Sequence, residues 1–274
     1  MPRLPLLKHP ILHYKNKWLH HRCKYAKAPE GAVIEEFNGV RSTFDFTLGK
    51  MVKSMYFGCY EFETRRIMKK YLKQGGVFID VGASVGYLSA VAAALVGKTG
   101  QVHSFEPVPK YFSYMQQIAE LNPEHKIVAN NFALGETSGQ SYIANHKRNP
   151  GVNSMVPGFV PKEYTAETLS IWVQRMDEYI QKKNLSHISL IKIDTEGFEL
   201  PVLLGTSRFF DEHKDSLPPI IAEVTPHAFK LMNRDICELD DFMSGYGYKS
   251  YSICGRHLIN MEKIVDQAAV LFRT

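Results

Sequence analysis

Two spacings of apolar residues succeed one another along this chain. Ala32–Phe37 and Val40–Phe46 are short alternating runs on either side of Asn38-Gly39, which predicts a hairpin. From Tyr60 to Leu72 the apolar positions 60, 67, 68, 71 and 72 fall at helical spacing, and Gly75-Gly76 stops the helix. Beyond that point strands and helices alternate. Val77–Val81, Gln101–Phe105 and Lys126–Asn131 read as strands, with helices from about Gly86 to Val96 and from Pro107-Val108-Pro109 to about Leu121 between them. Thr168–Val173, Ser189–Ile193, Pro219–Val224 and Lys249–Ile253 read as further strands, a helix is expected near Asp177–Lys183, and Ala268–Phe272 as an edge strand. Residues 139–165 are rich in turn formers and are expected to be an insertion over a binding site. Runs as continuously β-branched as Ile188–Ile193 and Ile220–Val224 belong to strands covered on both faces. The expected fold is therefore α/β: a doubly wound, mostly parallel sheet with helices on both faces. Residues 1–58 are expected to form a basic arm and hairpin extension, and residues 59–274 the domain.

Composition narrows the class. A chain of 274 residues that is 45% hydrophobic can bury a substantial core, which argues against wholesale disorder. The longest apolar run, Ala90–Val96, is far short of the roughly 20 residues of a membrane span. Without a secretory pattern at the start, the chain is expected to be cytoplasmic, with its four cysteines reduced. The net charge of +5 is uneven: residues 1–27 hold seven Lys or Arg and no acid, and the remainder is close to neutral. This arm is expected to pack on the body or to meet a membrane surface; His9, His13, His20 and His21 lack the companions of a metal site.

The chemistry concentrates at strand ends. Phe78-Ile79-Asp80-Val81-Gly82-Ala83-Ser84-Val85-Gly86 is a strand, a small-residue turn and a helix start, which lets a ligand approach backbone N–H groups. The hydride-cofactor fingerprint would need glycine at 84 and 87, where this chain has Ser84 and Tyr87, and no phosphate-cradling GxxxxGK[ST] occurs. Glu106 lies 24 residues beyond Gly82, at the end of the second strand, where doubly wound folds accept both ribose hydroxyls of an adenosine.

Phe78–Gly86 together with Ser104-Phe105-Glu106-Pro107 resembles the class I S-adenosylmethionine-dependent methyltransferases, which are Rossmann-like. Asn131–Gly135, Leu190–Glu199, Val202–Gly205, Ile220–Val224 and Gly245–Tyr248 resemble the FkbM family more narrowly, the K-I-D-x-E-G-x-E segment being the most specific. One departure stands out: Arg175-Met176-Asp177 replaces the usual Thr-Leu-Asp. The resemblance implies S-adenosylmethionine as cofactor and O-methylation of a sugar, glycan or natural-product hydroxyl. It places Asp80, Gly82, Ala83, Ser84 and Gly86 around the methionine part, Glu106 on the ribose, Asn131 and Phe132 at the adenine, and Glu61 closing over the cofactor.

Asp194, Glu196, Glu223 and His227 are the candidate bases, since a hydroxyl must lose its proton as the new bond forms. Asp194 has the better location, and its pKa is expected to be raised unless Lys192 or a metal opposes the shift. A divalent ion shared by Asp194 and Glu223 is not favoured, because no matching set of acids stands out. The alternative function is a nucleic-acid methyltransferase or binder using the basic arm. Against it, Asp194-Thr195-Glu196-Gly197 replaces the Asn/Asp-Pro-Pro-aromatic signature of base amino methylation, and the body carries no extended basic footprint. A non-catalytic cofactor-binding module is the third reading.

Overall fold

A computed structural model describes residues 26–147, 149–254 and 257–274. The basic arm and its histidines lie almost wholly outside the described residues. The Asn38-Gly39 turn closes the expected hairpin, β1 (Ala32–Phe37) against antiparallel β2 (Val40–Asp45). A helix absent from the sequence reading, α1 (Lys50–Tyr56), then precedes the expected α2 (Phe62–Tyr71). Only Val52 and Met55 of α1 are buried, too few apolar positions to stand out as a period.

The alternating part follows the predicted order. It comprises β3 (Val77–Val81), α3 (Tyr87–Val96), β4 (Gln101–Phe105), α4 (Pro109–Leu121) and β5 (Lys126–Asn130). Helix α3 is apolar nearly all round because it is buried nearly all round, with seven of its ten residues inside. Pro109 suits the first turn of α4, where its missing N–H costs nothing. Next come β6 (Ala133–Leu134), β7 (Gly139–His146) and β8 (Thr165–Gln174), which form a separate sheet of order β6-β8-β7. The turn-rich insertion thus opens with a strand that its Gly and Asn content concealed.

The remaining elements are α5 (Met176–Lys183), β9 (Leu190–Ile193), α6 (Glu199–Leu204), α7 (Ser207–Glu212), β10 (Ile220–Val224), α8 (Pro226–Leu231), α9 (Cys237–Gly245), β11 (Lys249–Ser252) and β12 (Ala268–Arg273). The departure at Arg175 has a structural account: its guanidinium bonds Asp177 (Nε to Oδ1, 3.0 Å) and the Glu136 carbonyl, tying the start of α5 to the β6–β7 turn.

The main sheet has the order β11-β12-β10-β9-β3-β4-β5, parallel except where β12 pairs antiparallel with β10 and β11. This is the predicted doubly wound α/β architecture. Successive residues of each strand enter different cores: Phe78, Val102 and Leu190 pack with the hairpin and α1–α3, while Ile79, Phe105 and Ile191 pack with α5–α9. β12 is not the edge strand expected from sequence. Val270, Leu271 and Phe272 are fully buried because β10 and β11 flank them and helices cover both faces. The cysteine expectation also fails at one position, since Cys59 is disulfide-bonded while Cys237 and Cys254 are free. Among the described residues no helix is long and apolar enough to cross a membrane.

Candidate active site

The strand order reverses between β3 and β9, so the connections that follow these two strands leave towards opposite sides of the sheet. A pocket with about 900 Å³ of atom-free space, part of it open to solvent, lies there. Gly82, Ala83 and Ser84 line it from β3, and Phe105 and Glu106 from β4. Lys192, Asp194, Thr195 and Glu196 line it from β9, and Glu223 from β10. Tyr60, Met51 and Met55 close it on the side of the N-terminal helices, and Asn153 and Met155 on the side of the insertion.

The loop after β3 is held by its neighbours. The Gly82 and Ala83 N–H groups both donate to the Phe105 carbonyl, at 3.0 and 2.9 Å. Gly82 has φ +75°, and an added Cβ would collide with the Asp194 carbonyl oxygen, so the turns after β3 and β9 meet only because position 82 lacks a side chain. The Ser84 N–H donates to Glu106 Oε2 at 3.0 Å, and the Val108 N–H donates to Oε1 at 2.9 Å. Burial pushes the Glu106 pKa up to about 7 despite these two donors. The Ser84 hydroxyl is buried at the cavity with no partner.

The charged centre is on β9. Lys192 Nζ lies 3.0 Å from Asp194 Oδ2 and 3.7 Å from Asp80 Oδ1. Burial alone would lower the Lys192 pKa, but Asp194 and Asp80 outweigh it and hold the ammonium well above its ordinary range. Asp80 is fully buried beneath the loop and accepts a hydrogen bond from Ser89 Oγ at 2.6 Å; burial raises its pKa against the pull of Lys192.

At Asp194 the opposition expected from Lys192 prevails over the rise expected from burial. Burial pushes its pKa up, but Lys192 and a hydrogen bond with Glu223 override burial and leave it below the usual carboxylate range. The neighbours carry the opposite shift. The charge of Asp194, followed by burial, takes Glu223 up to about 11, while burial and then Asp194 take Glu196 up to about 9. Oxygens of all three lie within 4.8 Å of one another. At neutral pH the cluster is one carboxylate flanked by two carboxylic acids. Its oxygens are donors of the kind Mg²⁺ takes, yet Lys192 already supplies positive charge beside Asp194.

Not every predicted residue reaches the cavity. Asn131 is exposed and spends its amide on the carbonyls of Glu106 and Pro107, at 2.9 and 3.1 Å. Phe132 turns into the core, edge-on to Phe105 at 5.5 Å. Ala133 and Leu134 line the cavity where these two were expected. Gly86 caps α3 behind the loop, and Glu61 accepts from Thr64 Oγ1 next to the lining residue Tyr60. His227 is exposed on α8 and does not line the cavity. Sequence reasoning missed the walls supplied by Tyr60, Tyr87, Asn153 and Met155; only tertiary packing brings these distant segments together.

Among the described residues six non-glycines have positive φ. Three are asparagines, which tolerate that region, and the others are Glu61, Ser84 and Glu196. All three lie in or beside the cavity, so backbone strain is concentrated there.

Residues 80–250 match the methyltransferase FkbM domain, well over half of the chain. The chain belongs to the FkbM methyltransferase family. A relative within reach by sequence is "Methyltransferase 1" of Beauveria bassiana (strain ARSEF 2860), 24% identical over 161 residues, covering 53% of this chain and 63% of that protein. The solved structure of methyltransferase FkbM from Methylobacillus flagellatus KT is 16% identical and covers 84% of this chain and 55% of that one, with a TM-score of 0.46. Aeropyrum pernix fibrillarin, solved with natively bound S-adenosyl-L-methionine, is 8% identical, with 92% and 86% coverage and a TM-score of 0.43. The chain thus spans less than two thirds of the length of the Beauveria bassiana relative and of the Methylobacillus flagellatus structure. The family's K-I-D-x-E-G-x-E segment is the stretch that supplies Lys192, Asp194 and Glu196 to the cavity wall, and Glu199 to the helix behind it.

Proposed function

We propose that the chain transfers the methyl group of S-adenosylmethionine to a hydroxyl oxygen of a sugar, glycan or natural-product small molecule. The observation that carries this reading is Asp194, kept ionised by Lys192 on the wall of the cavity. Several groups fit the cofactor. The unpartnered Ser84 hydroxyl suits its amino-acid end, and Glu106, whose two oxygens retain acceptor capacity, suits the ribose. Among the described lining residues the one lysine, Lys192, is already paired with Asp194, so the cavity offers a sulfonium carboxyl acceptors and offers the phosphates of a dinucleotide no free cation. When bound, S-adenosylmethionine supplies an electrophilic methyl carbon on a sulfonium ion.

The remaining chemistry belongs to the side chains. Asp194 accepts a hydrogen bond from the acceptor hydroxyl and takes its proton as the oxygen–carbon bond forms. Lys192 and Glu223 fix the carboxylate through ionic and hydrogen-bonding contacts on its other side. Alignment does much of the rest, because an oxygen held about 3–3.5 Å from the methyl carbon needs little further reorganisation. A nucleic-acid acceptor is disfavoured because the described lining offers a phosphate backbone one cation, Lys192, which Asp194 already neutralises.

The test is Asp194→Asn. Turnover is expected to fall roughly 10²–10⁴-fold, while calorimetry still shows one S-adenosylmethionine site per chain. Normal turnover by Asp194→Asn would remove the assigned base, and absence of S-adenosylmethionine binding by the unaltered chain would remove the whole reading.

A further inference from the structure

We infer that the outer face of the β7–β8 hairpin is a carbohydrate-binding subsite, which holds a neutral oligosaccharide while one of its hydroxyls enters the cavity. The inference rests on the methyl-transfer reading and narrows its acceptor. One face of the hairpin is core: Ile143, Ile171 and Val173 are buried. The opposite face carries two large rings in the open, Tyr142 at 61% and Trp172 at 57% exposure. Tyr142 stands opposite Ser170 and Trp172 opposite Gln140, so the rings are diagonal neighbours, with Cα atoms roughly 7–8 Å apart. Polar groups fill the other corners of this square, where Gln140 Nε2 donates to Ser170 Oγ at 2.8 Å. Aromatic plates interleaved with neutral amides and hydroxyls match a saccharide chain, whose C–H faces stack while its hydroxyls find partners.

A broad, open groove runs beside Tyr142. Among the described residues its charged lining is Lys162, Glu163 and Glu167, a balance that does not favour a polyanion. The groove also meets the active site. Met155 lines both the groove and the cavity, and Ser154 Oγ donates at 2.7 Å to the carbonyl of Glu196. Ser154 is bridged in turn to Ala144 of β7. The wall between the two sites is therefore fastened to the turn that carries the acids.

The test uses the full chain, fluorescently labelled, on a glycan array that includes neutral, sulfated and sialylated oligosaccharides, with S-adenosylmethionine calorimetry run in parallel. Binding to neutral oligosaccharides is expected. Tyr142→Ala and Trp172→Ala should each weaken it at least tenfold, with circular dichroism and cofactor affinity unchanged because both side chains lie on the surface. No binding to any arrayed glycan, binding insensitive to both substitutions, or binding confined to anionic glycans or to added RNA would each overturn the subsite. Calorimetry separates the two readings, since cofactor binding without glycan binding removes only the subsite, and glycan binding without cofactor binding removes only the methyl transfer.

Discussion

Lys192 is the one cation among the described lining residues, and its position decides the protonation of everything near it. It selects Asp194 as the ionised member of the cluster and leaves Glu196 and Glu223 protonated. A cationic ligand bound beside these acids favours their charged forms. S-adenosylmethionine binding should therefore release protons and tighten as pH rises from 7 towards 9, the range in which Glu196 titrates. Calorimetry at pH 8 in buffers of different ionisation enthalpy measures this directly; proton uptake would contradict it. Glu106→Ala should weaken the cofactor by roughly 1.5–3 kcal/mol, because it removes a charge-assisted acceptor and frees the Ser84 N–H. At this scale the sequence was partly legible. The acids of β9 and β10 and the glycine loop were found, because their position at strand ends follows from the strand pattern. Asn131 and Phe132 were misplaced, because after β5 the chain leaves the main sheet for β6, and strand alternation no longer predicts where a side chain points.

Among the elements, β12 separates two readings of the same sequence. As an edge strand it would tolerate truncation of Phe272; as an interior strand with Phe272 fully buried it should not. Phe272→Ala is expected to destabilise the fold by about 3–5 kcal/mol, measured by urea unfolding, and a loss below about 1 kcal/mol would contradict the placement. Gly82→Ala tests the close approach of two turns. Positive φ and the collision with the Asp194 carbonyl should together remove cofactor binding, whereas Gly139→Ala meets no atom within 4 Å and, though strained by its φ of +152°, should leave binding intact. Buried strands and capped helices were readable because continuous apolar runs and Pro or Gly boundaries mark them. Strand β7 was not, since its exposed face carries Gln140, Tyr142 and Ala144 in place of a clear polar alternation.

For the whole molecule, buried carboxyls set the dependence of stability on pH. Burial raises Glu106 and Glu199 to about 7 and Glu196 to about 9, against 4.5 for an ordinary glutamate. The folded state thus binds protons more tightly than the unfolded chain. The contribution of these groups is greatest below about pH 4.5 and is lost as pH rises through 7 and then 9. The melting temperature should fall between pH 6 and pH 9, and Glu196→Gln should flatten the upper part of that fall; scanning fluorimetry across pH reads both. Order of synthesis adds a different constraint. β12 inserts between β10 and β11, both of which leave the ribosome before it. Until residues 268–273 emerge, β10 exposes an unpaired apolar edge and β11 has no neighbour in the sheet. Before residues 268–273 emerge, the nascent chain is accordingly most open to pairing with the wrong strand.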